Sequence, residues 1–409
     1  MPKENRRNSI NSLFSLYFLL IFAALGTLIA FMSLHFDDIG FNGVQISTIT
    51  VVGSIALILL APRFGHFFDQ ANNKRSVLIA SILVMTFSLG SIAYLKAFVP
   101  ILLLWVIYRT ISGPLFSTSE NLSYGIASKA DSSENATFGS LRLWGSIGFA
   151  SATLVGGYIY QSYGILYNNI LFLVLIALSV MVLLLMPNSI FDVEVSSEED
   201  KLNLSGVLKL IVKNRFLFFM ALALAISDPT QDGIRSFEPI FMQNLGLEAG
   251  IIGLAATLSA AGEVPFMINA DRIIKRIGIR EIILFVFAFD ILRRLLVWVF
   301  PTPAMVFITS VLTSFSFTFR LVGSISLVNL CLPRHVTSTA NAFIGVTMFS
   351  LGYMLSNALS GVIYDQFGNR HVYLLGAVLC GISLVFGLLA GKLDPLSTNQ
   401  TSTSISSQS

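Results

Sequence analysis

Some twelve long apolar stretches follow one another along this chain with little between them, and that succession limits the fold more than any other feature. Each is close to the roughly 20 residues that cross a bilayer as an α-helix. Hydropathy places them at 11–35, 44–66, 76–95, 98–127, 139–160, 165–187, 216–243, 249–271, 280–300, 303–331, 338–362 and 371–391. Composition agrees: of 409 residues 55% are hydrophobic and only 11% charged, a balance no soluble domain has. The expected fold is therefore an all-α integral membrane protein of about twelve transmembrane helices. The first stretch lacks a small-residue cleavage site and is followed by further spans, so it reads as a membrane helix and not as a removed signal peptide. Cys331 and Cys380 lie in or beside spans and imply no disulfide framework.

Orientation follows from the cations, because short cytoplasmic loops collect Lys and Arg. Arg6, Arg7, Arg63, Arg75, Lys129, Lys201, Lys213, Arg272, Lys275 and Arg334 sit at one set of alternate connections or at a terminus, while Lys96 and Arg370 fall on the other side. Both termini are thus expected in the cytoplasm, in a multi-pass protein of the cell (inner or plasma) membrane. The net charge of +3 adds nothing beyond this bias, and no basic patch invites a nucleic acid.

Residues 188–215, "NSIFDVEVSSEEDKLNLSGVLKLIVKNR", are long and polar, with an acidic patch and then an amphipathic stretch suited to the membrane surface. They divide the chain into an N-terminal bundle (1–187), a cytoplasmic linker (188–215), a C-terminal bundle (216–392) and a low-complexity tail (393–409) expected to be disordered. The halves echo each other. "SIGF" from 146 and "GYIYQSYG" from 157 recur at one offset as "SLGY" from 350 and "GVIYDQFG" from 361, which matches span five to span eleven. Arg109 in "YRTISG" of span four likewise has a counterpart in Arg320, "FRLVG", of span ten. Two matched pieces in equivalent spans argue for two pseudo-symmetric six-helix bundles. Many secondary transporters are built this way, with the substrate site between the repeats near the bilayer midplane.

Charges inside the spans need a reason, since each costs a few kcal/mol on insertion scales and usually faces a cavity and a partner. The acids Glu120, Asp228, Asp232, Glu238, Glu263 and Asp290 equal in number the bases Arg109, Arg142, Arg235, Arg293, Arg294 and Arg320, so mutual neutralisation is available. Arg142 heads the glycine-dotted run "RLWGSIGF" and is either a binding residue or part of a structural ion pair nearer the surface. A guanidinium fork beside a carboxylate suits vicinal hydroxyls or a substrate carboxylate. In span seven, Asp228, Asp232 and Arg235 fall on one side of a helix that Pro229 and Pro239 are expected to break. That segment is either a cavity wall or an internally neutralised helix facing its neighbours. In span nine, Asp290 has Arg293 and Arg294 within local reach. There is no Walker loop, no metal-spaced Cys and His cluster among four histidines, and no soluble segment large enough for catalysis. No enzyme activity, metal or cofactor is expected.

These residues carry a resemblance to the major facilitator superfamily over essentially the whole chain. The connection after span two, "GHFFDQANNKR", resembles the family's signature G-x-x-x-D-R-x-G-x-K, with Gly65, Asp69 and Lys74 in place and Gln70 and Asn72 as departures. Such a loop gates conformational change through charge and helix dipole, unless its cations merely follow the positive-inside bias. "RLWGSIGF" resembles the branch containing lactose permease and the related oligosaccharide, nucleoside and phenylpropionate proton symporters. The resemblance implies a monomer that moves a small solute, most simply a sugar, oligosaccharide or nucleoside, by alternating access with the proton gradient as energy source. It implies a binding site of Glu120, Arg142, Phe149 and Glu263, with Phe149 stacking where the permease uses a tryptophan. Coupling would involve Glu263, Asp232 or Asp290 as proton carrier, Arg293 (or Arg294) as the arginine that tunes it, and Arg320 as a further cation. Arg109 resembles the span-four R-x-x-x-G pattern of proton-coupled antiporters. In span ten, Thr313 and Ser316 stand where the permease carries a histidine and a glutamate, and Phe349 replaces its span-eleven lysine. Open alternatives are a carrier of organic acids or drugs, a uniporter, a sodium-coupled carrier, or a receptor that kept the fold.

The orientation is directly testable by cysteine labelling. Cysteines placed at Asn42 and Glu248 should react with an impermeant reagent from outside, and those at Asn72 and Asp200 only after permeabilisation; the reverse pattern would overturn the assignment.

Overall fold

Lipid offers the backbone no hydrogen-bond partners, so each apolar stretch must satisfy its own N–H and C=O groups as a helix. The computed structural model describes residues 3–71, 73–128, 138–191, 204–333, 336–337, 340–341, 343–344 and 349–391, and among them there is no strand. The acidic patch of the linker, the polar tail and most of the first half of the eleventh expected span lie outside the described residues.

The helices run in the order α1 (Lys3–Leu28), α2 (Met32–Asp38), α3 (Gly43–Asp69), α4 (Lys74–Ile92), α5 (Phe98–Ser128), α6 (Phe138–Tyr163), α7 (Ile165–Leu185), α8 (Leu204–Lys213), α9 (Arg215–Asn244), α10 (Ala249–Ile277), α11 (Ile279–Val299), α12 (Pro303–Val311), α13 (Thr313–Cys331), α14 (Phe349–Phe367) and α15 (Asn369–Gly391). Among the described residues, eight helical stretches are long and apolar enough to cross a membrane, and the bent pair α8–α9 adds a ninth. The other three expected spans correspond to α6, which Gly, Ser and Tyr dilute, to α11, which carries Asp290, Arg293 and Arg294, and to α14, whose described helix begins only at Phe349 of its expected span.

One expectation is corrected. Span seven is not broken by its prolines: α9 is a single helix through both Pro229 and Pro239. A proline within a membrane helix is tolerated where neighbours and hydroxyls meet the freed backbone. Here the Ala225 carbonyl, which Pro229 leaves without its helical donor, faces Gly352 of α14 at close range.

The chain divides into two compact units, one of residues 1–197 with 239–260, the other of 198–238 with 261–409. In the first, α1 lies against α6 and α7, and α5 against α3 and α4. The α1–α6 crossing is close because glycine stands on both sides. A Cβ on Gly26 would lie 2.7 Å from Phe149 O, and one on Gly148 would collide with Leu19 O. Small residues of this kind let membrane helices gain van der Waals contact that larger side chains would prevent. Asn168 of α7, fully buried, donates to Thr27 O (2.8 Å) and Gly156 O (3.1 Å), tying α7 to α1 and α6. In the second unit α11 is central, packed against α13 and α15. Val207 and Ile211 of α8 belong to a buried apolar cluster with Leu217, Phe287 and Phe319.

The repeat read from the sequence has a conformational counterpart. Gly164 and Gly368, the last residues of "GYIYQSYG" and "GVIYDQFG", have φ of 79° and 84° and end α6 and α14. Each donates its N–H to the matching tyrosine carbonyl, Tyr160 O at 2.8 Å and Tyr364 O at 3.0 Å. A left-handed residue at this point closes a helix at low cost only as glycine.

Asn168→Leu should destabilise the protein by about 1–2 kcal/mol, because two buried carbonyls lose their donor. A lowered thermal midpoint in detergent, with unchanged membrane insertion, is the expected result; an unchanged midpoint contradicts the packing role.

Candidate substrate and coupling site

Within the second unit, side chains of α9, α11, α13 and α15, with backbone carbonyls of α12 and α15, form one polar cluster around the Asp290 carboxylate. Asp290 sits on α11 and is wholly buried. Its Oδ1 accepts from Arg293 Nη2 at 3.1 Å and from Ser316 Oγ at 2.7 Å; its Oδ2 accepts from Arg320 Nη1, with Arg294 Nη2 3.8 Å away. Helical spacing explains the local part, since residues three and four apart share a face. Arg320 reaches in from α13 and also sets its Nε 2.9 Å from Asp228 Oδ1 on α9.

The arginines are held from behind as well. Arg293 Nη1 donates to Thr309 O (3.0 Å) and Thr313 Oγ1 (3.1 Å), and Nη2 to Gln231 Oε1 (2.8 Å). Arg294 Nη1 donates to Thr230 Oγ1 (2.6 Å), Gly376 O (2.8 Å) and Cys380 Sγ (2.8 Å). All three guanidiniums are at most 2% exposed. Taking an ion out of water costs several kcal/mol, which only close counter-charges and full hydrogen bonding offset. This cluster supplies the counter-charges and most of the hydrogen bonds; among the described residues, Nε of Arg293 and of Arg294 and Nη2 of Arg320 are buried without a hydrogen-bond partner.

The structure brings together the expected coupling residues Asp290, Arg293 and Arg320, and adds Asp228 and Arg294. Asp232 does not touch the Asp290 carboxylate but lies near enough for its charge to act on Arg320; it stands 3.9 Å from Arg235, the two being 37% and 59% exposed. Thr313 and Ser316, read from the sequence as departures from the permease pattern, are hydrogen-bonding members of the cluster. Glu238 accepts from Tyr373 OH (2.9 Å) and Ser310 Oγ (3.2 Å). Glu263 is half-buried on α10, next to Gly262, where an added Cβ would lie 2.8 Å from Ser314 Oγ.

In the first unit, Glu120 is half-buried on α5 beside Ser119, whose hydroxyl pairs with Tyr17 OH of α1 at 2.9 Å. Phe149 is half-buried on α6. Arg142 stands in the first turns of α6, but its side chain lies outside the described residues, as do the side chain of Asp69 and the surroundings of Gly65. Arg109 packs its stem, with Trp105, against Gly53 of α3, where a Cβ would lie 2.9 Å from Arg109 Cγ. Lys74 opens α4, capped by the Asn73 side chain that accepts from Ser76 N.

Sequence reasoning passed over several working groups. Arg75, next to Lys74, donates to Leu184 O and to Asn188 Oδ1 (2.9 Å), so it closes the C-terminus of α7, where a cation meets the negative end of the helix dipole. Gln231, Thr230 and Cys380 were invisible as cluster members because their partners come from distant helices. The first unit also contains a seam between α6 and the start of α10. Thr257 donates to Ala150 O at 2.8 Å and Gln161 Nε2 to Glu248 Oε2 at 2.6 Å. Added Cβ atoms on Gly157 and Gly253 would lie 2.6 Å from Ala249 O and Thr153 O. Among the described residues no group of three or more His, Cys, Asp or Glu is placed to hold a metal ion.

Asp290→Ala removes the carboxylate shared by three buried guanidiniums and should cost about 3–5 kcal/mol, whereas Thr313→Val should cost about 0.5–1.5 kcal/mol. Thermal or denaturant unfolding in detergent measures both; comparable losses for the two variants contradict the reading of the cluster. Gly253→Leu should force the α6–α10 seam apart and reduce transport more than it reduces the amount of protein in the membrane. Full transport by this variant would show that the seam tolerates separation.

The sequence profile of the MFS_1 like family matches residues 11–375. Maltose permease of Geobacillus stearothermophilus is 24% identical over 382 residues, covering 93% of this chain and 94% of the permease. The uncharacterized transporter YwbF of Bacillus subtilis (strain 168) is 23% identical over 381 residues, covering 92% of each. Among solved structures, a mutant of the nucleoside transporter NupG superposes with a TM-score of 0.80 at 17% identity, covering 94% of this chain and 99% of that one. A bacterial homologue of the iron transporter ferroportin in an inward-facing state gives 0.77 at 12% identity, covering 93% and 98%. At such identities the structures speak for the fold alone. The matched profile covers most of the chain and the relatives are transporters rather than enzymes, so this protein belongs to the MFS_1 like family and is a multi-pass membrane transporter of a small-molecule substrate.

Proposed function

We propose that the protein takes up a hydroxylated solute, a sugar, oligosaccharide or nucleoside, in symport with protons. It would do so as a monomer in the cell (inner or plasma) membrane, with both termini cytoplasmic and the proton gradient as its only energy source. The solute hydroxyls are held by Glu120 and Arg142, with Phe149 stacking on the ring and Glu263 completing the site. The guanidinium fork offers donors in one plane and a carboxylate accepts, which matches vicinal hydroxyls. A maltose permease and a nucleoside transporter among the similar proteins support this solute class.

The observation that carries the coupling reading is the contrast between Asp290 and Glu263. Asp290 is wholly buried and engaged by arginines from two helices, so its charge is fixed by its neighbours. Glu263, on α10, is only half-buried. A carboxyl group in apolar surroundings holds its proton more tightly, and an approaching cation loosens it. A helix movement that alters such surroundings loads and unloads a proton, and Glu263 is the carboxylate we assign to that role. Asp290, Arg293 and Arg320 then act as scaffold and field rather than as carriers. Asp232 and Arg109 remain accessory charges.

Uptake of maltose and uridine into proteoliposomes under an imposed inward proton gradient tests both parts. Accumulation of one of them should collapse with a protonophore and with Glu263→Gln. Arg142→Ala should abolish it while the protein stays in the membrane, and Arg142→Lys should restore it only in part, because a point charge does not reproduce a planar fork. Accumulation that ignores the protonophore, or that survives Glu263→Gln unchanged, ends the coupling reading; transport by Arg142→Ala at the parent rate ends the binding one.

A further inference from the structure

At the elbow between α8 and α9 the second unit carries a feature that transport does not require. The two helices meet at 101° around Asn214. With α9 crossing the bilayer, α8 runs along the membrane plane. Its sequence fits that position. Val207 and Ile211, one turn apart, are buried in the unit's apolar cluster, and Lys209 and Lys213, also one turn apart, point away from it. Leu208, Leu210 and Val212 on the flanks are 44%, 37% and 51% exposed, which is apolar surface that water would not favour.

A cleft of about 470 Å³ opens where the end of α8, the start of α9 and the end of α13 meet. Leu210, Phe216, Leu332 and Pro333 give it apolar walls, and Lys213 and Arg215 stand at it as cations. No lining residue is acidic. Asn214 holds the elbow itself: its Oδ1 accepts from Leu217 N at 3.0 Å and its Nδ2 donates to Cys331 O at 3.5 Å. The positive end of the α9 dipole adds to the two cations.

We infer that this cleft binds an anionic phospholipid of the adjoining leaflet, its phosphate between Lys213 and Arg215 and the first part of an acyl chain against Leu210, Phe216 and Leu332. A free phosphate would use the cations but leave the apolar walls uncovered. A neutral lipid would use the walls and leave the cations without counter-charge. Clusters of cations at the interface draw anionic headgroups, and here they come with a shaped apolar recess beside them. The inference rests on α9 spanning the membrane and not on the identity of the solute or its coupling, so the two stand or fall separately.

The test is a thermal-unfolding titration of the full-length protein in neutral detergent micelles with phosphatidylglycerol, phosphatidylcholine and inorganic phosphate. A ligand that binds only the folded state raises the apparent midpoint. Phosphatidylglycerol should raise it saturably, and the other two should not. In K213Q/R215Q the phosphatidylglycerol needed for half the effect should rise about tenfold or more, while Lys209→Gln, one turn back along α8 and outside the cleft lining, should respond like the parent. If the double variant does not fold, Lys213→Gln alone is titrated, and native mass spectrometry counts the phosphatidylglycerol retained by it and by the parent. Equal stabilisation by phosphatidylcholine or by inorganic phosphate, an unchanged response in the cleft variants, or an equal loss in Lys209→Gln overturns the site.

Discussion

Asp290 is the point on which the second unit turns. Three guanidiniums in an apolar bundle are tolerable only if counter-charge and acceptors reach them within hydrogen-bond distance, and one wholly buried carboxylate with Asp228 supplies the charge. Further N–H groups are met by hydroxyls and carbonyls of Thr230, Gln231, Thr309, Thr313 and Gly376, although Nε of Arg293 and of Arg294 stays without an acceptor among the described residues. In lipid the tails are as apolar as leucine, so helices do not associate by the hydrophobic effect and must find other contacts. Here α9, α11, α12, α13 and α15 are joined by charge-assisted bonds, each stronger than a neutral one. No helix of the set can move far without uncovering a charge.

The first unit meets the same lipid constraint by other means. Glycines at the α1–α6 crossing bring backbones together, and a buried amide, Asn168, stitches α7 to both. Two halves of one repeated plan thus carry different adhesives: close packing in one, a polar network in the other. The shared plan survives in the backbone, where Gly164 and Gly368 end equivalent helices in the same left-handed conformation.

Much of the fold was legible because hydropathy and length are strong signals in a membrane chain. The spans were readable even where α11 carries three charges, since the flanking residues stay apolar. The proline rule misled at α9. Pro229 and Pro239 would break a solvent-exposed helix, but α9 continues through both, with Gly352 close against the carbonyl that Pro229 frees. For the site, helical spacing revealed the Asp290–Arg293–Arg294 set, because that information is local. It gave no sign that Arg320 bridges Asp228 and Asp290, or that Cys380 and Gly376 back Arg294, since those contacts depend on how α13 and α15 pack. Thr313 and Ser316 looked like losses against a permease pattern and proved to be working partners of the cluster.

The claim that these charges form one mutually dependent set is tested most directly by a double-mutant cycle on Asp290→Asn and Arg320→Gln, read as unfolding free energy in detergent. If the set is mutually dependent, the double variant retains more stability than the two single losses imply, with a coupling of about 1–3 kcal/mol. Losses that simply add would contradict it and leave Asp290 and Arg320 as independent buried charges.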